Sequence, residues 1–302
     1  MTNTIMKNAK MYWIQAITPL HVGAGKGVGF IDMPIMREKV TTWPFVPGSA
    51  VKGVLRDHFK TVMKKETNLI DAAFGKAGLD VESNAGALVL TDAHIVCMPV
   101  RSLYGTFAYV TSPMVLERLK RDLAVTGYTG LPDTPKPSDK EAYHYQESVI
   151  EDSGKIFLED LDLTAKTDRE KTGTWAEKLS VLLFADPTWQ TIFKERFVIV
   201  SDNCFTFLSE HGTDVAARVR ISDESKIVEK GALWYEESLP SESILAGIAW
   251  CDRIYYGKDI PQEKRVAPER IIAECCTNDL DLQIGGKANV GKGRVRCRFT
   301  QG

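Results

Sequence analysis

The 302-residue chain lacks a C-x-x-C pair: its six cysteines are Cys97, Cys204, Cys251, Cys275, Cys276 and Cys297, and the adjacent Cys275 and Cys276 make a poor metal pair. No zinc site is legible, and the cysteines read as reduced, mostly buried thiols of a cytoplasmic protein. The N-terminal "MTNTIMKNAKMYWIQA" has no apolar core of signal-peptide length. No hydrophobic run reaches the length of a membrane helix, so no membrane partner is expected. No short repeat period stands out, which argues against a solenoid. A large net charge is missing too: the formal value is -2. Taken whole, that excludes a general polyanion binder.

The distribution of charge says more than its sum. Between Gly285 and Gly302 there are five basic residues (Lys287, Lys292, Arg294, Arg296 and Arg298) and no acid. Between Glu147 and Lys178 nine acids face five bases. Local patches of this kind, rather than net charge, decide nucleic-acid binding.

Hydrophobic periodicity places the elements. "MYWIQAITPLHVG" is β-branched and aromatic and ends in a loop. "VGFIDMPIM" is a short extended run cut by Pro34, suited to an irregular or edge strand. "PGSAVKGVLRDHFKTVMKKE" has helical spacing, with Ser49 as its expected N-cap. Two strands are expected around "VCMPV" and "TFAYV", then a helix from Ser112 to Gly127 and a loop over residues 128–146. "TWAEKLSVLLFAD" and "WQTIFKERF" read as helices. "ARVRISDESKIVEKGALWYEE" is a hairpin turning at "SDES", and "DLQIGG" is a strand before the loop "GGKANVGKG". Strands mixed with helices and hairpins give an α+β class with antiparallel sheet.

Glycine loops invite nucleotide hypotheses, and both fail. "GAGKGVG" has Val28 where the third glycine of G-x-G-x-x-G belongs. "GKANVGKG" resembles a phosphate loop but has Gly293 where Ser or Thr would ligate magnesium, and no helix can follow it. A stand-alone phosphate-loop enzyme is therefore disfavoured. Such loops still suit a phosphodiester backbone, because bare amides approach phosphates and nearby lysines add attraction without reading bases. Ser49, Ala50 and Lys52 in "PGSAVKGVLR" would present N–H groups and an ammonium at a helix mouth.

Asp32 is the conspicuous acid, since aspartate is disfavoured in an apolar extended segment. A carboxylate there could orient a ribose 2′-OH, accept its proton, or help to hold a divalent cation; the plain alternative is a turn cap. His21, in a strand-to-loop transition, reads equally well as a capping histidine. Glu236 and Glu237 in "LWYEESLP" read first as a solvated surface pair. Trp234 and Tyr235 beside them read as core, with base stacking as the alternative.

The stretch "LHVGAGKGVGFIDMPIMREKVTTWPFVPGSAVKGVLRDHF" closely resembles the RAMP family of CRISPR proteins, and within it the repeated backbone subunits of type III-B (Cmr) effector complexes, the fourth subunit there. The agreement continues through "DAHIVCMPVRSLYGTFAYVTSP", "GALWYEESLP" and "GGKANVGKG" and so covers most of the chain. "DMPIMREK" combined with "PVRSLYGTFAYVTSP" is the specific part. The resemblance implies a ferredoxin-like (RRM-like) palm with inserted helical and loop subdomains. It places an insertion at about 128–185 and a β-hairpin thumb at about 213–237. It implies head-to-tail copies in a helical filament along a guide RNA, other Cmr subunits as partners, and cleavage of complementary target RNA with Mg2+ or Mn2+ in antiviral defence.

In this resemblance Asp32 matches the aspartate needed for cleavage, as general base or metal anchor. His21 and Lys52 match positions near RNA, and Glu236 matches an acidic position, so that His21 and Glu236 join Asp32 as catalytic candidates. Lys52 is assigned to guide backbone. Lys26, Arg37, Ser49, Arg56, Gly286, Lys287, Lys292 and Arg294 are candidates for the same contact. Competing readings are a non-catalytic guide-RNA scaffold and the equivalent subunit of a type III-A complex.

Overall fold

The structure is a computed structural model, and it describes residues 6–25, 27, 29–76, 84–222, 224, 226–256, 261–262, 265–277 and 279–300. One 13-stranded sheet organises the chain. Its path runs from Asp279–Gln283 through Arg294–Thr300, Ala9–Ala16, Ile244–Trp250, Ala93–Arg101, Phe107–Thr111 and Phe197–Val200 to Glu141–His144, Leu161–Thr167, Lys155–Leu158 and Glu151–Asp152. Phe45–Val46 and Val89–Leu90 pair off this path. The class is α+β, but the sheet is mixed rather than antiparallel throughout. Phe197–Val200 runs parallel to Phe107–Thr111, and Leu161–Thr167 runs parallel to Glu141–His144.

The central strand shows why both faces are covered. Successive side chains of Ala9–Ala16 alternate: Tyr12 and Ile14 join one buried cluster, Met11 and Trp13 the other. Period two on a strand buried on both faces requires apolar residues at every position. Leu116, Leu119 and Leu123 of helix Pro113–Val125, with Trp175, Leu179 and Phe193 of the next two helices, close the Trp13 face. Val51 and Leu55 of helix Gly48–Asp57, with Phe205 and Leu208 of helix Asp202–His211, close the other. All six cysteines are buried and free, as expected from the sequence.

Three expectations change. Helix Gly48–Asp57 has Pro47, not Ser49, at its N-cap. Asp92 Oδ1, from the connection just before strand Ala93–Arg101, accepts from the Gly48 N–H at 2.8 Å, doing what the Ser49 hydroxyl was expected to do. The segment 128–146 contains the strand Glu141–His144, whose alternating burial is hidden by the prolines before it. The hairpin is longer than the sequence pattern suggests: Asp214–Ile221 pairs with Val228–Ser238, with a bulge between Val219 and Ile221. It forms its own two-stranded sheet and is mostly exposed along its first arm.

Gly247 lies opposite Tyr12 in the central sheet. A β-carbon there would stand 2.6 Å from Tyr12 Cε1 and 2.7 Å from its hydroxyl. Tyr12 is fully buried and its hydroxyl donates to the Thr91 carbonyl, so the ring has nowhere to retreat. Gly247→Ala is expected to cost ~1–3 kcal/mol by overpacking, read as a lower urea midpoint with unchanged slope; an unchanged midpoint would contradict this packing.

Candidate active site at the root of the hairpin

The root of the hairpin, Tyr235 to Leu239, is held between two glycine-containing loops. On one side Leu20 and Leu239 exchange both main-chain hydrogen bonds, at 2.8 and 2.9 Å. The chain then doubles back: Ala24 N–H donates to Pro34 O and Met36 N–H to Val22 O. Residues 33–35 thereby lie alongside the hairpin's second arm, with Met33 bridged in parallel to Glu236. Met33 N–H donates to Tyr235 O at 3.1 Å and Glu237 N–H donates to Met33 O at 3.0 Å.

Asp32 sits where this ladder begins. Its Oδ2 accepts from the Tyr235 N–H at 2.8 Å, while the residue itself is exposed. The side chain thus supplies the acceptor that a further strand residue would have supplied. Aspartate competes with backbone in this way, which is why extended segments disfavour it and why it works at the end of one. Among the described residues no other hydrogen-bond partner meets the carboxylate, so its second oxygen faces outward from an anchored position.

His21 is 5% exposed. Its Nδ1 lies 2.6 Å from Glu237 O, and a carbonyl only accepts, so Nδ1 carries the proton. The ring lies under the loops: a β-carbon on Gly23 would come within 3.0 Å of Nε2, and His21 O accepts from Gly286 N–H. Gly285 has φ +80° and no room for a β-carbon, which would stand 2.3 Å from His21 O. His21 therefore links both glycine loops to the hairpin.

Glu236 and Glu237 are not a surface pair. Each is 2% exposed. Adjacent strand residues face opposite sides, so the two carboxylates serve different neighbours. Glu236 is met by Lys287 Nζ at 2.7 Å, Trp234 Nε1 at 2.7 Å, Arg218 at 3.4 Å and Lys292 at 3.9 Å. Glu237 Oε1 takes Arg37 at 2.6 Å and the Thr213 hydroxyl at 2.9 Å, and its Oε2 takes the Ile35 N–H at 3.0 Å. Sequence reading singled out Glu236 and passed over Glu237. The available signal was that two consecutive acids in a strand require partners on both faces.

The remaining candidates divide by where their polar ends go. Arg37 turns inward, to Glu237, Thr42 O and Ser209 O. Lys52 donates to Leu88 O at 2.6 Å, away from the helix mouth, and burial lowers its pKa. Lys287 and Lys292 are tied to Glu236, and Lys292 also donates to Ser238. Ser49 lies in the first turn of its helix, exposed, without a capping role. Gly286 and Arg294 are exposed beside the His21 loop, and Arg56 is half-exposed in the last turn of its helix. Lys26 lies outside the described residues. Trp234 and Tyr235 are half-buried rather than core.

Among the described residues no three His, Cys, Asp or Glu side chains group as a metal site. Both oxygens of Glu236 and of Glu237 are already engaged, which leaves Asp32 as the carboxylate with a free oxygen among the three acids Asp32, Glu236 and Glu237. One carboxylate falls short of a protein-built cage but fits the way magnesium is held, by a carboxylate together with substrate phosphates.

The fold and the sequence place the chain in a known class. Residues 13–296 match the RAMP superfamily, and the chain belongs to it. Over 293 residues it is 34% identical to the CRISPR system Cmr endoribonuclease Cmr4 of Pyrococcus furiosus, covering 97% of this chain and 96% of that one. The CRISPR system CMR subunit Cmr4 of Saccharolobus solfataricus is 22% identical over 317 residues. The crystal structure of oligomeric Cmr4 from Pyrococcus furiosus superposes with a TM-score of 0.76 at 28% identity, covering 98% of this chain and 99% of that one. A cryo-EM structure of the type III-B Cmr-beta complex bound to cognate target RNA contains a chain of the same fold, with a TM-score of 0.69 at 20% identity.

The Glu236 cluster sets a pH dependence. Burial raises the Glu236 pKa, but the hydrogen bonds from Lys287 and Trp234 and the charges of Lys287 and Lys292 outweigh it and bring the value to about 2, from an ordinary 4.5. A depressed carboxylate contributes stability that is complete above its unfolded pKa and is lost as pH falls through the folded value. The loss is expected between pH 4.5 and 2. Glu236→Gln leaves Lys287 and Lys292 uncompensated, and is expected to cost ~3–5 kcal/mol at neutral pH and to flatten that acid limb. Urea denaturation against pH checks both, and a parallel acid limb in the variant would contradict the assignment.

Proposed function

We propose that this chain is the repeated backbone subunit of a type III-B CRISPR ribonucleoprotein. It binds guide RNA, associates with further copies of itself and other Cmr subunits, and cleaves complementary target RNA at Asp32. The observation that carries this reading is an exposed carboxylate anchored by one oxygen, at 2.8 Å, to the root of a projecting hairpin. The 34% identity to a Cmr endoribonuclease supports the type III-B assignment over its type III-A counterpart.

The reaction needs little from the protein beyond position. A ribose 2′-oxygen attacks its own phosphorus, the O2′–P bond forms and the P–O5′ bond breaks, leaving a 2′,3′-cyclic phosphate and a 5′-OH. The 2′-OH proton passes to the free oxygen of Asp32, and the departing 5′-oxygen takes a proton from water. Stacked A-form RNA keeps the 2′-OH out of line with its phosphate, so a linkage distorted beside the hairpin starts nearer the transition state. Mg2+ or Mn2+ would be held mostly by RNA phosphate oxygens beside Asp32, and would supply charge neutralisation when bound.

Recognition of RNA would be shared by the exposed Gly286 loop, Arg294 and Arg56, with sequence read by base pairing to the guide. Lys287, Lys292, Arg37 and His21 would act from behind, by fixing the surface that RNA meets.

In the assembled complex with guide, end-labelled target and magnesium, Asp32→Asn is expected to slow cutting ~10²-fold or more with target affinity unchanged. Chelation should abolish cutting in the wild type, and either Mg2+ or Mn2+ should restore it. Cuts that persist in the variant would make this chain a guide-RNA scaffold.

A further inference from the structure

Two residues before Asp32, Phe30 stands 76% exposed in a pinned loop. Its ring meets that of Tyr235, with centroids 4.5 Å apart and planes tilted by 32°. Tyr235 is also the residue whose N–H anchors Asp32. The contact continues as a strip. Residues two apart on a strand share a face, so Leu233 lies beside Tyr235, and the register sets Val219 opposite Leu233. Leu233 is 54% exposed and Val219 45%. Singly exposed apolar residues need no explanation, but a ring pair continued by an apolar ledge next to the proposed reacting carboxylate is not a scattered residue.

We propose that Phe30 and Tyr235 form a stacking platform for one nucleobase of the target strand, that of the nucleotide whose 2′-OH reaches Asp32. The inference rests on the reading of Asp32 given above. Two residues of extended chain span at most ~7 Å, comparable with the reach from a ribose to the far edge of its own base. An RNA that brings its 2′-OH to Asp32 therefore carries its base to Phe30. The exposed ring face is the size of a single base and has no charge, which suits stacking and not hydrogen-bonded readout. A base taken out of the helical stack tends to return to it. A ring pair that holds it keeps the linkage open for in-line attack, so Phe30 and Tyr235 are positioning residues.

The test uses the assembled complex with guide RNA and target strands modified at that nucleotide. Phe30→Ala is expected to slow single-turnover cutting ~10- to 100-fold, and Phe30→Trp to restore most of the rate. Removing only that base from the target should slow the wild type by the same factor and leave Phe30→Ala no slower. Such non-additivity marks a direct contact and would not arise from a structural role. A fluorescent adenine analogue, 2-aminopurine, at that position of an Asp32→Asn complex should change its emission when Phe30→Ala is added, since the base then leaves the ring pair, a readout that needs no cleavage; unchanged emission would overturn the platform. Wild-type cutting by Phe30→Ala, equal slowing of both proteins by the abasic target, or loss of copy-to-copy assembly in Phe30→Ala would each overturn the platform. If instead Asp32→Asn still cuts, the reading of Asp32 itself fails, and the fluorescence result stays interpretable on its own.

Discussion

Two consecutive buried carboxylates at the root of the hairpin hold the functional end of this protein together. Glu236 faces one side and gathers Lys287, Lys292 and Arg218; Glu237 faces the other and gathers Arg37, Thr213 and the Ile35 amide. Neither charge would be tolerated at 2% exposure without such partners. Each pair joins segments distant in sequence, so the two glycine loops and the hairpin are fixed relative to one another. A two-stranded hairpin is marginal by itself, and this one gains its orientation from the ionic root.

That arrangement explains the division of labour among the cations. Most of the positive side chains near the site are turned inward, onto carboxylates or carbonyls. They build the surface rather than face outward from it. Among the described residues, those facing outward include the anchored Asp32, the Gly286 loop, Arg294 and the ring of Phe30. A carboxylate held at one oxygen, on a segment locked to a strand, is placed with the precision that positioning chemistry requires. Flexible lysines at the same positions could not do this.

Much of this was legible in the sequence. The oddity of an aspartate among apolar extended residues pointed to Asp32, and the alternating arms around "SDES" gave the hairpin. Binary pattern also placed the strands on either side of Gly105 and the helices at Pro113–Val125 and Thr174–Leu183. What escaped was set by long-range partners. Asp92 replaces Ser49 at the helix mouth, and Leu88 O takes the Lys52 ammonium. A charged side chain reads as solvent-exposed until its partner is known, which is why Glu236 and Glu237 read as a surface pair. Lys287 lies 51 residues from Glu236, and Arg37 lies 200 residues from Glu237.

The most direct measurement of the central claim is a structure of the assembled complex with a target strand bearing a 2′-deoxy nucleotide at each cut position, so that the linkage stays intact. The account predicts the Asp32 carboxylate anchored on the Tyr235 amide, with its free oxygen ~3 Å from the position of the missing 2′-hydroxyl. An Asp32 turned toward a neighbouring subunit, with another side chain at that linkage, would contradict it.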